Sequence, residues 1–194
     1  MHFKILQIKY KKQFMEIQKT TIDGLLIITP TVFRDERGSF FEPYNKQLFA
    51  SQGLDMEFVQ DNQSVSYKGI IRGLHLQSPP FAQGKLVRVV CGSALDVAVD
   101  IRKSSPTFGQ HVAVKLDSIE NKLFWIPEGF AHGFIALEDN TIFQYKVTNF
   151  YNKESEMSIR WNDPTLNIQW GVEVPVISDK DMQSPLFEDF ISPF

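Results

Sequence analysis

The sequence predicts an all-β fold, a sandwich or barrel with a few short helices, for a chain of 194 residues. Two observations lead to this prediction. The chain contains 17 Phe, and aromatic and β-branched residues are enriched in strands. From Phe58 onward, short apolar segments follow one another with tight turns between them. That order is typical of antiparallel sandwiches and barrels and not of βαβ folds.

The clearest strand is 95–102, in which apolar residues alternate with polar or small ones. Period-two alternation predicts a strand with either one solvated face or one polar interior face. A turn at 91–93 joins it to a strand over 86–90. Further strands are predicted at 111–116, 122–126, 130–137 and 141–147.

The first part of the chain is less regular. An apolar strand is predicted at 24–28, and a charged turn follows within 33–42. The segment 45–51 predicts a short helix that Gly53 ends. The C-terminal third is irregular and is expected to wrap the barrel. Residues 1–14 are expected to be an N-terminal extension to a single domain over 15–194.

Composition excludes several classes of protein. The net charge is −3, and no Lys/Arg run predicts a nucleic-acid partner. No apolar run reaches the ~20 residues of a membrane span, and no signal peptide opens the chain. The single cysteine, Cys91, excludes an internal disulfide and fits a reducing cytoplasm. Because Cys91 lies among strand residues, we expect it to be a small buried hydrophobe.

The segment 72–88 carries the densest polar cluster between apolar strands. It contains His75, Lys85, two arginines and two glutamines, and Pro79-Pro80 with Gly84 divides it into a strand end, a rigid loop and a second strand. Burying so many polar groups is costly unless they serve a purpose. We therefore expect a functional site here.

Three interpretations remain open for His75 and His132, which both lie among predicted strands. A metal site needs three or more closely spaced ligands, and the residue two positions after His75 is Gln77, which disfavours a metal. Acid/base chemistry would use an imidazole held by a carboxylate, a phenol such as Tyr145 and a cation such as Lys85 to stabilise an oxyanion. On spacing alone, hydrogen-bonded interior histidines are an equally good interpretation.

Other catalytic motifs do not occur. The sequence has no G-x-S-x-G, G-x-G-x-x-G or P-loop pattern, so a hydrolase elbow, a dinucleotide site and a P-loop are not predicted. Arg37, Arg72 and Arg88 have the chemistry to grip a phosphate, although each alone is more simply a solvated charge.

Nine ordered motifs across 35–181 resemble those of the dTDP-4-dehydrorhamnose 3,5-epimerases. The motifs are D-E-R-G-S-F-F-E (35–42), Q-D-N-Q-S (60–64), R-G-L-H-L-Q (72–77), Q-G-K-L-V-R (83–88), D-V-A-V-D-I-R-K-S-S-P-T-F-G (96–109), I-P-E-G-F-A-H-G-F (126–134), Y-K (145–146), W-N-D-P (161–164) and S-D-K-D (178–181). The resemblance implies a cupin-type jelly roll, a homodimer and no metal or redox cofactor. It also implies a dTDP-linked 4-keto-6-deoxy sugar as substrate, on the way to deoxysugars such as rhamnose.

The resemblance also implies residue roles. His75 matches the base, Asp181 its carboxylate, Tyr145 the proton donor and Lys85 the cation near the C4 oxygen. Residues that match substrate-binding positions are Arg72 and His132 at the sugar and diphosphate, Gln60 and Asn62 nearby, Arg37, Phe40 and Glu42 at the nucleotide across the dimer interface, and, more weakly, Tyr151 and Glu156.

Two alternatives to a 3,5-epimerase stay open at this point. Related enzymes invert only C3 or only C5 with the same catalytic residues, so a single-site epimerase is the first. A non-catalytic jelly roll that binds a sugar nucleotide is the second. The joint presence of an acid and a base argues against the binding protein, because binding alone requires neither.

Overall fold

The computed structural model describes residues 15–194, so the expected extension over 1–14 lies outside the described residues. The strands are β1 (Glu16–Lys19), β2 (Leu26–Thr29), β3 (Phe33–Asp35), β4 (Gly38–Phe40), β5 (Gln60–Ser66), β6 (Ile71–Gln77), β7 (Lys85–Cys91), β8 (Ser93–Asp100), β9 (His111–Asp117), β10 (Leu123–Ile126), β11 (Phe130–Ala136), β12 (Thr141–Val147) and β13 (Glu156–Ser158). The helices are α1 (Lys46–Ser51) and α2 (Asp179–Met182), with 3₁₀ turns at Lys153–Ser155 and Phe187–Asp189.

The strands form two large antiparallel sheets. One has six strands in the order β1-β2-β10-β7-β12-β5, and the other has five in the order β13-β6-β11-β8-β9. The hairpin β3–β4 is a separate two-stranded sheet. From β5 to β13, consecutive strands alternate between the two sheets except for β8 and β9, which pair within one sheet. This order is typical of a jelly roll, and the all-β prediction is confirmed.

The main core lies between the two large sheets. Its buried side chains come from both, for example Val87 and Phe143 from one sheet and Ala98 and Phe134 from the other. Phe134 and Phe143 stack face to face across the layer, with ring centroids 4.0 Å apart. Burial of apolar area on this scale is the dominant stabilising term of such a fold.

The C-terminal third covers the outer face of the five-stranded sheet, as expected. Ile159, Leu166, Trp170 and Phe190 pack there against β6, β8 and β11. Because of this cover, both faces of β8 are buried, and Asp96 and Asp100 are fully enclosed. Of the two interpretations of the alternation at 95–102, the solvated face is wrong.

The interpretation of Cys91 as a buried hydrophobe is also wrong, because the residue is exposed. It ends β7, where the pairing with β12 is irregular: Ile142 pairs with Cys91, and Phe143 pairs with Val89. The shift interrupts the in–out alternation of β7 and leaves its last residues outside the core.

Two glycines bring β6 and β11 together next to the predicted site. Gly73 has φ of +143°, and a Cβ on it would lie 2.5 Å from Cα of Gly133. Pairing is irregular at this point, between His132 and Phe134 of β11. Only glycine fits the close approach and the positive φ together.

The helix prediction at 45–51 is confirmed. Asn45 caps α1 by accepting a hydrogen bond from the Leu48 amide at 3.2 Å, which is why the helix begins there. None of the helices in the part of the chain that the structure describes has the length and apolarity to cross a bilayer.

Candidate active site

A cavity of about 530 Å³ opens between the two large sheets and is bounded on one side by the segment 176–181. Its volume is in the range of small-molecule sites. Eight of the residues singled out from the sequence line it: Arg72, His75, Lys85, His132, Tyr145, Tyr151, Glu156 and Asp181.

His75 and Asp181 form a hydrogen-bonded pair, although they are 106 positions apart. The distance from His75 Nε2 to Asp181 Oδ1 is 2.6 Å. Asp181 lies in α2, where Ser178 accepts a hydrogen bond from its amide at 3.1 Å, and Gly73 N–H donates to Asp181 Oδ2 at 3.4 Å. These contacts fix the carboxylate against the β6 backbone.

The electrostatics of this pair favour an ionised carboxylate. Burial alone would raise the pKa of Asp181, but the hydrogen bond and charge of His75, with the Gly73 amide and Ser178, lower it below its ordinary value. When Nε2–H of a neutral His75 donates to this carboxylate, the lone pair is on Nδ1. The pair therefore has the chemistry of an oriented base.

Lys85 begins β7 and is buried, with 8% of its surface exposed. Its Nζ donates to the His75 carbonyl at 3.3 Å. Burial lowers the pKa of Lys85 to about 8, although Asp96 and Glu156 partly oppose the effect. An ammonium has three donors, so Lys85 keeps hydrogen-bonding capacity for an oxyanion in the cavity.

His132 lies on β11 directly opposite His75 on β6. Its Nε2 is 3.0 and 3.1 Å from the two carboxylate oxygens of Asp96, which is fully buried on β8. Burial lowers the pKa of His132, and the charges of Lys85 and His75 act in the same direction, against Asp96. A second histidine–carboxylate pair thus lies beside the first.

Tyr145 faces the cavity from β12, in the sheet opposite the one that carries His75. Burial raises the pKa of its phenol, and Arg72 offsets part of that rise. The phenol therefore keeps its proton at neutral pH. A base and a proton donor on facing sheets can act on opposite faces of one substrate.

A chain of polar contacts borders the same cavity. Tyr151 donates its hydroxyl to Glu156 Oε2 at 3.1 Å, and Lys180 Nζ is 2.6 Å from Glu156 Oε1. Burial would raise the pKa of Glu156, but Lys180 and Tyr151 lower it. Sequence reasoning did not assign Lys180 to the site, although it lies in the quoted motif 178–181. Ser64 was likewise missed, within the motif 60–64.

The structure does not bring the predicted nucleotide-binding residues to this cavity within one chain. Arg37 pairs with Asp35 at the turn of the β3–β4 hairpin, and its side chain is 84% exposed. Phe40 on the same hairpin is 66% exposed. Glu42 accepts a hydrogen bond from Asn45 at 3.3 Å. This hairpin projects its charged and aromatic side chains into solvent.

Gln60 and Asn62 lie at the edge of the site. Gln60 Nε2 donates to Asn62 Oδ1 at 2.8 Å, and Asn62 pairs directly with Tyr145 across β5 and β12. Directly paired residues share a face of the sheet, so Asn62 lies beside Tyr145 although it does not line the cavity itself. Within residues 15–194, no group of three or more His, Cys, Asp or Glu side chains is arranged to hold a metal ion.

Comparison with known proteins gives one consistent family. The model of the dTDP-4-dehydrorhamnose 3,5-epimerases matches residues 19–189. The chain is 53% identical over 176 residues to the Shigella flexneri protein named dTDP-4-dehydrorhamnose 3,5-epimerase, covering 90% of this chain and 97% of that one.

Solved structures agree. A Legionella pneumophila dTDP-6-deoxy-D-glucose-3,5-epimerase in complex with dTDP-4-keto-L-rhamnose superposes with a TM-score of 0.87 at 47% identity, over 91% of this chain and 95% of that one. A 3′-monoepimerase from Streptomyces bikiniensis in complex with dTDP-quinovose gives 0.83 at 32% identity, over 87% and 86%.

Proposed function

This chain belongs to the dTDP-4-dehydrorhamnose 3,5-epimerase family, and on that premise we propose that it is an isomerase acting on dTDP-4-dehydro-6-deoxy-D-glucose. It inverts C3 and C5 of the hexose and gives dTDP-4-dehydro-L-rhamnose. The observation that carries the proposal is the arrangement of His75–Asp181, Lys85 and Tyr145 around one cavity.

The chemistry follows from the C4 ketone. Hydrogens on C3 and C5 are acidic because loss of either gives an enolate. His75, held by Asp181, removes the proton through its free ring nitrogen. Lys85 stabilises the developing charge on the C4 oxygen, and its burial strengthens that interaction because the local dielectric is low. Each acid or base of this kind typically contributes roughly 10²- to 10⁴-fold in rate.

Inversion requires the new proton to arrive on the face opposite the base. Tyr145 is on the six-stranded sheet and His75 is on the five-stranded sheet, so a hexose between them has one on each side. The protonated phenol of Tyr145 donates to the carbon, which then has the opposite configuration. After the first inversion the imidazolium of His75 releases its proton to solvent and the phenolate of Tyr145 takes one up from solvent. The same pair of residues can then act on the second centre, and the reaction needs no cofactor.

The remaining site residues are proposed to bind substrate. Arg72, His132, Tyr151 and Glu156 line the cavity and suit the sugar and diphosphate, with Gln60 and Asn62 beside them. Arg37, Phe40 and Glu42 are remote from the cavity of their own chain. We propose that they meet the nucleotide in the cavity of a second copy, so that the enzyme is a homodimer with shared sites.

A single-site epimerase is the second candidate. It is favoured by the likeness to a 3′-monoepimerase, since inversion at one carbon uses the same base and acid. We further propose that residues 15–194 form the single catalytic domain and that the enzyme works in the cytoplasm, on the route to deoxysugars of cell-surface polysaccharides.

Deuterium incorporation distinguishes these functions. The protein is incubated with dTDP-4-keto-6-deoxyglucose in D₂O, and the product is analysed by NMR. Incorporation at C3 and C5 is expected; incorporation at one carbon supports the single-site enzyme, and none at either carbon refutes epimerase activity. His75→Ala should abolish exchange while nucleotide binding persists. His111→Ala, on β9 away from the cavity, is the matched control.

The shared site is tested by subunit mixing. Arg37→Ala and His75→Ala proteins are each expected to be weakly active or inactive. In a mixed dimer, one of the two sites combines an intact hairpin with an intact base, so random mixing should restore about a quarter of wild-type activity. No recovery in verified mixed dimers would exclude the sharing of Arg37.

A further inference from the structure

The hydroxyl of Ser64 is buried in the wall of the cavity without a hydrogen-bond partner. It is the one such buried side-chain oxygen or nitrogen within residues 15–194. Ser64 lines the cavity from β5. Buried polar groups in folded proteins are nearly always paired, so an unpaired hydroxyl at a site indicates a missing partner.

Its neighbours on the same face of β5 are already engaged. Asn62 accepts from Gln60, and Ser66 Oγ accepts from Arg72 Nε at 3.1 Å. Arg72 also donates to the Val65 carbonyl at 3.4 Å. Arg72 is thus bound to the two residues that follow Ser64 on β5, and Ser64 Oγ itself is buried and has no hydrogen-bond partner.

The strand register places this hydroxyl relative to the proposed catalytic groups. Ser64 pairs with Phe143 on β12, and Tyr145 is two residues along. Such diagonal neighbours on one face are roughly 7–8 Å apart, a separation comparable with the width of a hexose ring. Lys85 lies on β7, on the other side of β12 from β5.

We propose that Ser64 binds the C2 hydroxyl of the hexose and thereby orients the ring between His75 and Tyr145. The proposal rests on the proposed function, because it takes the C4 oxygen to face Lys85. With C4 toward β7, the opposite edge of the ring is directed at β5, and C2 carries the hydroxyl on that edge. Ser64 is therefore a positioning residue that discriminates among 4-keto sugars at C2.

Ser64→Ala tests the role without disturbing the fold. Loss of one hydrogen bond between neutral groups is expected to lower kcat/KM about tenfold. The melting temperature should not fall, because Ser64 Oγ makes no hydrogen bond in the free protein. Ser93→Ala is the control: its buried hydroxyl donates to Glu138 at 2.6 Å, far from the catalytic groups, so the melting temperature should fall with kcat/KM unchanged.

A 2-deoxy analogue of the substrate identifies the partner of the hydroxyl. Wild type should lose about tenfold in kcat/KM on this analogue, and Ser64→Ala should process both substrates equally well. If Ser64→Ala instead lowers kcat/KM by the same factor, relative to wild type, on the substrate and on the 2-deoxy analogue, the proposal is overturned. That result is expected if the Ser64 hydroxyl binds only a water molecule. Unchanged kcat/KM in Ser64→Ala also overturns the proposal.

Different results would refute the epimerase activity and the role of Ser64. If wild type exchanges deuterium at C3 or C5 but Ser64→Ala behaves like wild type, the assignment of Ser64 is wrong and the epimerase stands. If wild type exchanges at neither carbon, the epimerase is wrong, and the assignment of Ser64 falls with it.

Discussion

Replacing Asp181 by asparagine removes the charge that holds His75 while keeping the size of the side chain. The carboxylate is almost fully buried, with 5% of its side chain exposed, and its oxygen is 2.6 Å from His75 Nε2. The amide of asparagine has no negative charge to stabilise the imidazolium that forms when His75 takes a proton. It can also present its NH₂ to Nε2 and so favour the wrong tautomer.

The expected loss of kcat follows from the strength of the hydrogen bond between Asp181 and His75. A hydrogen bond to a charged group contributes about 1.5–3 kcal/mol, and about 1.4 kcal/mol corresponds to a factor of ten in rate. One third of the His75 side chain is exposed, which screens the charge and favours the lower half of this range. Asp181→Asn is therefore expected to lower kcat about 10- to 40-fold, with a smaller effect on KM.

The assay is initial-rate deuterium exchange at C3 and C5, and Asp179→Asn is the matched control. Asp179 lies in the same helical turn but is exposed and does not contact His75. Rates of Asp181→Asn within twofold of wild type would refute the argument, as would an equal loss in Asp179→Asn.

Three further predictions concern stability. The pKa of Lys85 is about 8 in the fold and 10.5 ordinarily, so unfolding takes up a proton between these values and stability rises with pH across that window. Lys85→Met should be inactive yet melt at a higher temperature than wild type at pH 7, with the gap closing by pH 10; a lower melting temperature at pH 7 would contradict this. Burial raises the pKa of Asp100, but hydrogen bonds, above all from Arg102, lower it to about 2 from 3.8. Ionised Asp100 therefore stabilises the fold above pH 3.8, and this stabilisation is lost as the pH falls toward 2. In Asp100→Asn the free energy of unfolding should depend less on pH between 3.8 and 2. The same pH dependence as in wild type would contradict this. Gly73→Ala should cost about 3 kcal/mol or more in urea unfolding, because a positive φ and a clash with Gly133 add together; a wild-type midpoint would be inconsistent with that clash.

Local patterns in the sequence predicted the elements that depend on local chemistry. The strand at 141–147 and the helix capped by Asn45 were correct because alternation and capping are properties of neighbouring residues. The alternation at 95–102 did not show whether both faces of β8 are buried, because that depends on the C-terminal segment packing over the sheet. Cys91 was misassigned because the irregular pairing of β7 with β12 leaves no trace in the sequence.

In the site, too, local sequence predicted some features, and contacts between distant residues decided the others. Composition and spacing indicated a polar cluster around His75 and Lys85 but not its carboxylate, because Asp181 arrives from 106 positions away. Only the family resemblance suggested that pairing. Ser64 was missed because a serine within a polar strand has no distinctive signal, and its importance appears only when its hydroxyl is found unpaired.

Asp181, the carboxylate partner of His75, lies in α2, outside the two large sheets. The segment before α2 is attached to the barrel through backbone hydrogen bonds of Val176 with Gly69 and Ile71, and α2 itself has four residues. The chain after α2 is held by hydrogen bonds of Arg160 with the Ser184 and Pro185 carbonyls. Because α2 and the segment before it have fewer bonds to the barrel than a strand paired on both sides, they open at a lower free energy than the strands beneath them. Heat or protease should therefore lower turnover before circular dichroism records any loss of sheet. Deuterium exchange at the Gly73 amide, which donates to Asp181, becomes a direct measure of how often His75 is without its carboxylate partner.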